Sequence, residues 1–224
     1  MLKNVTKKLK PFIEKKLNEE YLIISSEANL YCLNYIEARF KRLRIDSGLE
    51  FVSAEFISEK SSAISLKIIQ IGELLETAYP YLYHNVSKHL KIRLRSEVIV
   101  GDVFRTFGRE LFRDGVSWAK VIALFAFAAS MSEDCVMQGR PELVKSILNN
   151  VRAYVRDHLA VWIRNHGGWG DVMVIFKCIE KQRSLFFLAR YYGKVLQSWS
   201  EALSNQLYTT AMAVYEFIEL LNFG

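Results

Sequence analysis

Apolar side chains recur along this chain at helical rather than strand spacing. Leu30, Leu33, Ile36, Phe40 and Leu43 follow one another at intervals of three and four, which predicts an amphipathic helix over 21–44. Ser25 with Glu27 nearby offers a start for it, and Asp46-Ser47-Gly48 a stop. After a polar stretch, a second helical pattern runs over 63–78 and ends before Pro80. The run 88–95, KHLKIRLR, alternates partly and fits either a basic edge strand or short helices. Asp102 suits an N-cap for a helix reaching Phe112, closed by Asp114-Gly115.

The next segment differs in kind. Every residue from Val121 to Ala129 is apolar, so a helix over 116–131 is hydrophobic on all sides and belongs inside a bundle or in a membrane. Gly139 and Pro141 stop and restart the chain. Leu143, Ile147, Val151, Tyr154, Val155, His158 and Trp162 then mark a long amphipathic helix to His166, ended by Gly167-Gly168. A short helix from Trp169 and two more, over 184–203 and 205–221, complete the pattern. The expectation is an all-α fold, a single globular bundle of about eight to nine helices around a central hydrophobic one. Residues 1–20, with six Lys and three Glu, read as a basic, mobile or marginally helical arm; 21–203 form the helical domain and 204–224 a C-terminal element.

Composition agrees with a sizeable core. Apolar residues make up 51% of the 224 and charged ones 24%, which excludes a disordered chain. The net charge of +6 is spread along the chain and favours acidic surfaces, anionic lipid included, without specifying nucleic acid. Cys32, Cys135 and Cys178 form no CxxC pair, which argues against a disulfide framework or zinc site and for a reducing compartment. The N-terminus lacks the apolar core of an export signal. His84, His89, His158 and His166 are scattered, and no metalloprotease, Walker, GxSxG or Rossmann sequence occurs, so no enzyme, cofactor or metal is expected.

Three constellations stand out. Ile64, Ile68, Ile71 and Leu75 form one narrow stripe at spacings of four, three and four. Gly72 beside it permits close approach of another helix, and Glu73 can pair with a base across a groove. That suits helix-in-groove recognition, and equally an ordinary core-facing helix. The second is Glu110–Ser130, where Ser117 can cap the apolar helix, Trp118 seal its base and Lys120 present a charge at a groove's lip. The third is WIRNHGGWGDV, in which Gly167 and Gly168 allow an abrupt turn that lets Trp162 and Trp169 brace one core.

In this order and spacing they resemble the Bcl (B-cell-lymphoma) family of apoptosis regulators. IIQIGELLE is similar to that family's third homology region, ELFRDGVSWAKVIALF to its first and WIRNHGGW to its second. YPYLYHNVSKHL, and AASMSEDCVMQGRPELV in the manner of the ovarian-killer (Bok) branch, extend the similarity; LNYIEARFKRL matches the first helix. The resemblance implies a bundle whose apolar groove receives a partner's third-region helix, and effector members that release their own, dimerise and permeabilise the outer mitochondrial membrane. It makes Ile64, Ile68, Ile71, Gly72, Glu73 and Leu75 the ligand-helix positions, with Glu73 in place of the usual Asp. Phe112, Gly115, Ser117, Trp118, Ala119, Lys120 and Leu124 fall in the groove and first region, with Ala119 for a usual Gly and Lys120 at the base that pairs with a partner's acid. Trp162, Gly167, Gly168 and Trp169 fall in the second.

The implied function is a Bok-like pro-apoptotic effector. The alternatives are a pro-survival protein that sequesters such helices and a non-permeabilising helical scaffold at an organelle membrane. Implied partners are other Bcl-family proteins, a second copy or oligomer, and an intracellular membrane, without nucleic acid. The implied location is the cytoplasm and the mitochondrial outer or endoplasmic reticulum membrane. Over 203–223 the tail reads as a weak anchor or, because of Glu216 and Glu219, as an amphipathic helix.

Overall fold

The structure, a computed structural model, describes residues 2–49, 58–78, 80–83, 86–89 and 92–177. These residues are helical with no strand among them: α1 (Leu2–Leu43), α2 (Glu59–Ala78), α3 (Pro80–Tyr83), α4 (Val86–His89), α5 (Glu97–Leu111), α6 (Trp118–Met137), α7 (Leu143–Tyr154), α8 (Ala160–Asn165) and α9 (Asp171–Ile175). A π-helical turn, Val155–Leu159, joins α7 to α8, so the long helix expected to His166 is one rod with a bulge in it.

The all-apolar segment is the axis of the bundle. Every side chain from Val121 to Ala129 is buried in α6, which packs against α1, α2 and α7. Burying a helix on all sides requires an apolar stripe from each neighbour. In α1 that stripe is Ile24, Ala28, Tyr31, Tyr35, Ile36 and Phe40, and in α7 it is Leu143, Val144, Ile147 and Val151. Phe107 of α5 stacks on Phe127 with centroids 3.6 Å apart.

Local expectations fare unevenly. Ser117 caps α6, its hydroxyl accepting from the Lys120 amide at 3.4 Å, and Gly167 and Gly168 adopt φ of 85° and 75° at the sharp turn after α8. The first helix does not begin near Ser25: α1 is continuous from Leu2, so residues 2–20 extend it, and the Ser25 hydroxyl donates back to the Leu22 carbonyl inside the helix. Asp102 is not an N-cap. The helix begins a turn and more earlier, at Glu97, with Ser96 as cap, and Asp102 pairs with Arg105 on its surface. Of the two readings of 88–95, the described residues show the end of a short helix, α4, and then irregular chain over 92–95, with no strand among them. The helices expected over 184–203 and 205–221, and the tail, lie outside the described residues.

Candidate functional site

The side chains singled out in α2 point inward. Ile64, Ile68, Ile71 and Leu75 are buried in the core against α1 and α6. At Gly72 α2 lies close against α1: a Cβ built there would lie 2.2 Å from Tyr35 Cε2, so only a hydrogen at that position admits the tyrosine ring. Glu73 faces outward and pairs with Arg42 of α1.

Behind the stripe lies a buried polar clasp that pattern reading missed. Arg39 is fully buried in α1. Its Nε and Nη2 donate to Glu133 Oε2 of α6 at 2.9 and 2.6 Å, and Nη2 also donates to the Tyr83 carbonyl at 2.6 Å. Nη1 stands 2.6 Å from Glu76 Oε1 of α2 as an ion pair. The Tyr35 hydroxyl donates to that same oxygen at 2.7 Å, and Arg42 pairs with Glu76 Oε2. Burial is the largest single influence on Arg39 and lowers its pKa, but the attractions and hydrogen bonds to Glu76 and Glu133 together outweigh it and raise the pKa, so the guanidinium stays charged. One arginine thus ties α1, α2, α6 and the end of α3. The signal was present: Arg39 continues the Tyr31–Tyr35 line four residues on, a charge on a buried face that requires a buried partner.

The chain after α2 is held by the C-terminal half of α6. The Ser130 hydroxyl donates to the Tyr83 carbonyl at 2.7 Å, and the Ser87 amide donates to Asp134 Oδ2 at 2.6 Å. Gln138 donates to Ser87 Oγ and accepts from the Leu94 amide, both at 3.0 Å. Burial raises the Asp134 pKa, while the hydrogen bonds from Ser87 oppose the rise.

At the other end of α6 three of the four tryptophans converge. Trp118 lies 5.2 Å from Trp162 and 5.5 Å from Trp169, centroid to centroid, and its indole N–H donates to Asp171 Oδ2 at 2.7 Å. Trp169 is buried, meets Tyr31 edge-on at 5.2 Å and donates to the Ile24 carbonyl at 3.2 Å. The chain at the glycine turn is therefore tied to α1 through Trp169 and to α6 through Asp171. Lys120 is buried rather than held outward at a lip, and its Nζ donates to the Gly115 carbonyl at 2.7 Å; burial lowers its pKa. Ala119 and Leu124 are buried in α6, while half-buried Phe112 stacks on Tyr154 at 5.8 Å.

Among the described residues no cluster of His, Cys, Asp and Glu could hold a metal ion, and no helix is long and apolar enough to cross a membrane. Cys32 and Cys135 are free, buried thiols whose pKa values burial pushes up, that of Cys135 to about 12.

The profile described as "Apoptosis regulator proteins, Bcl-2 family" matches residues 68–169, which include Ile68–Leu75, the start of α6 and Trp169. The Bcl-2-related ovarian killer protein of Gallus gallus is 31% identical over 154 residues, covering 69% of this chain and 71% of the relative. The solution structure of human BOK superposes with a TM-score of 0.60 at 30% identity, covering 70% of this chain and 99% of that one. A Trichoplax adhaerens protein, trBcl-2L2 bound to trBak BH3, shares the fold with a TM-score of 0.60 at 21% identity, over 69% of this chain and 98% of that one. With 31% identity over 69% of its length and 71% of the ovarian killer protein's, and the same helical bundle, this chain belongs to the Bcl-2 family of apoptosis regulators and is related to its Bok members.

Proposed function

We propose that this protein is a pro-apoptotic effector of the Bok kind, which frees its α2 helix, engages other Bcl-family proteins or a second copy of itself, and permeabilises mitochondrial or other intracellular membranes. The observation that carries this reading is the placement of α2. Its four apolar anchors lie inside the bundle, so the helix is unavailable to a partner until the Arg39 clasp opens. Similarity to proteins named ovarian killers supports the same direction. The residues at α6 also favour self-driven action over tight sequestration. Lys120 offers a point charge where Arg would grip a carboxylate through two bonds, and it is already engaged with the Gly115 carbonyl.

The membrane step would use the hairpin of α6 and α7. The apolar core of α6 from Val121 to Ser132 is short for a hydrocarbon layer of about 30 Å, which favours insertion in the plane of the membrane over a simple span. Residues 204–224 would add an interfacial helix or a weak anchor, and a tail-tagged reporter that stays cytosolic would remove that contribution.

A second reading, a pro-survival groove protein that captures third-region helices, takes support from the trBcl-2L2 fold, which is bound to trBak BH3. Co-expression with an established effector separates the two: cytochrome c release rises for an effector and falls for a sequestering protein. A scaffold without permeabilising activity would leave it unchanged. With purified protein at micromolar concentration, liposomes of mitochondrial composition should lose entrapped dye; retention of the dye would defeat the effector reading.

A further inference from the structure

The first sixteen residues of α1 present a feature that neither the core nor the proposed death function uses. The helix joins the bundle at Glu20, which pairs with Arg164 Nε at 2.5 Å, and at Ile24, whose carbonyl accepts from Trp169. Ahead of that junction, residues 10–16 are all exposed, with Phe12 at 68% and Ile13 at 53%. A solvated helix normally presents polar residues there, so two large apolar side chains in this position need a reason.

The helical register supplies one. At about 100° per residue, positions 2, 5, 9, 12 and 13, all apolar, fall within about 100° of arc, and exposed Ile23 continues the same line. Lys3, Lys7, Lys8, Lys10 and Lys15 fall outside that arc, and Lys16 falls within it, where its long stem can lie along the apolar face while the ammonium reaches the headgroups. Against these six lysines the first sixteen residues carry one acid, Glu14, 3.9 Å from Lys10 on the exposed surface. An apolar stripe flanked by lysines is the pattern of a helix that lies in the headgroup layer of an anionic bilayer. A second copy of the chain would bring six more lysines against these six, so self-association meets repulsion where an anionic surface meets complementarity.

We infer that residues 2–16 of α1 form a docking surface for anionic lipid, seating Phe12 and Ile13 among the acyl chains while the lysines contact the headgroups. Binding rather than leakage reports it, so this inference and the effector reading can fail separately.

The test is co-sedimentation of the full chain with vesicles of phosphatidylcholine alone and with one third phosphatidylserine. The expected result is binding at least about tenfold tighter to the anionic vesicles, weakened by salt. The triple variant Lys10→Gln/Lys15→Gln/Lys16→Gln should lose about tenfold or more, and Phe12→Ser/Ile13→Ser should lose a comparable amount, both with an unchanged thermal melt because the residues are exposed. Equal binding to neutral vesicles, or variants that bind like the parent, would overturn it. So would a dimer that Phe12→Ser/Ile13→Ser dissociates without changing vesicle binding, which would make the partner a second copy. Protection of Lys15 and Lys16 from trypsin in the lipid-free chain would overturn it as well, by showing that the chain itself covers the stripe.

Discussion

Arg39 of α1 and Glu76 of α2 form an ion pair inside the protein, with Nη1 and Oε1 2.6 Å apart and both side chains almost wholly removed from water. Glu76 follows Gly72 by four positions, so the electrostatic tie and the close steric contact with Tyr35 lie one turn apart. α2 is thus held inward twice, through its apolar stripe and through this carboxylate.

Removing the arginine should be costly. Arg39→Met leaves half-buried Glu133 without its two hydrogen bonds, Glu76 without one of its two cationic partners and the Tyr83 carbonyl with only the Ser130 hydroxyl as donor. Breaking a buried pair from one side costs about 3–5 kcal/mol. Urea denaturation should show a loss of that size, and the far more exposed Arg164→Met, which breaks the surface pair with Glu20, a loss below about 1 kcal/mol. Equal effects from the two substitutions would contradict the clasp.

Gly72→Ala should destabilise the protein although alanine is the better helix former by about 1 kcal/mol. The added methyl would overlap the Tyr35 ring, and overpacking costs about 1–3 kcal/mol. A double-mutant cycle with Tyr35→Ala should show the two changes to be less than additive, because the smaller residue vacates the contested space. Strict additivity would mean that the helices do not meet there.

Trp118→Phe keeps a ring in the cluster and removes the N–H that bonds Asp171. A hydrogen bond to a charged group is worth about 1.5–3 kcal/mol, and the loss should largely disappear in an Asp171→Asn background. Thermal denaturation of the four proteins gives the coupling.

The pH dependence of stability should carry the mark of Asp134. Burial holds its pKa above the ordinary aspartate value, with Glu133 adding to the rise and Ser87 and Arg39 opposing it. Between those two values the native state retains a proton that the unfolded chain has released, so stability falls as pH rises through the window. Asp134→Asn retains an acceptor for the Ser87 amide and lacks the titration. The stability of the parent relative to this variant should therefore decline as pH rises above the ordinary aspartate range and level off once the native carboxyl has ionised, in denaturant titrations. A difference that stays flat would refute the assignment.

Periodicity alone determined much of this protein. The charge-free run from Val121 to Ala129 had to be buried on every side, and the isoleucine stripe of α2 had to face apolar surface. The glycine pair had to allow a turn between Trp162 and Trp169, because each follows from local chemistry whatever the neighbours are. Helix starts were less legible. Ser25, Asp102 and Ser96 all carry capping side chains, and the choice among them depends on which turns gain burial by extending the helix.

Only the tertiary structure decided which charges go inside. Glu73 and Glu76 are three residues apart on one helix, yet the first meets solvent and the second meets Arg39, a residue 37 positions earlier in the chain. A buried charge is tolerable only where folding delivers an opposite charge and the right donors to the same point, and that delivery comes from the packing of three helices rather than from any one stretch of sequence.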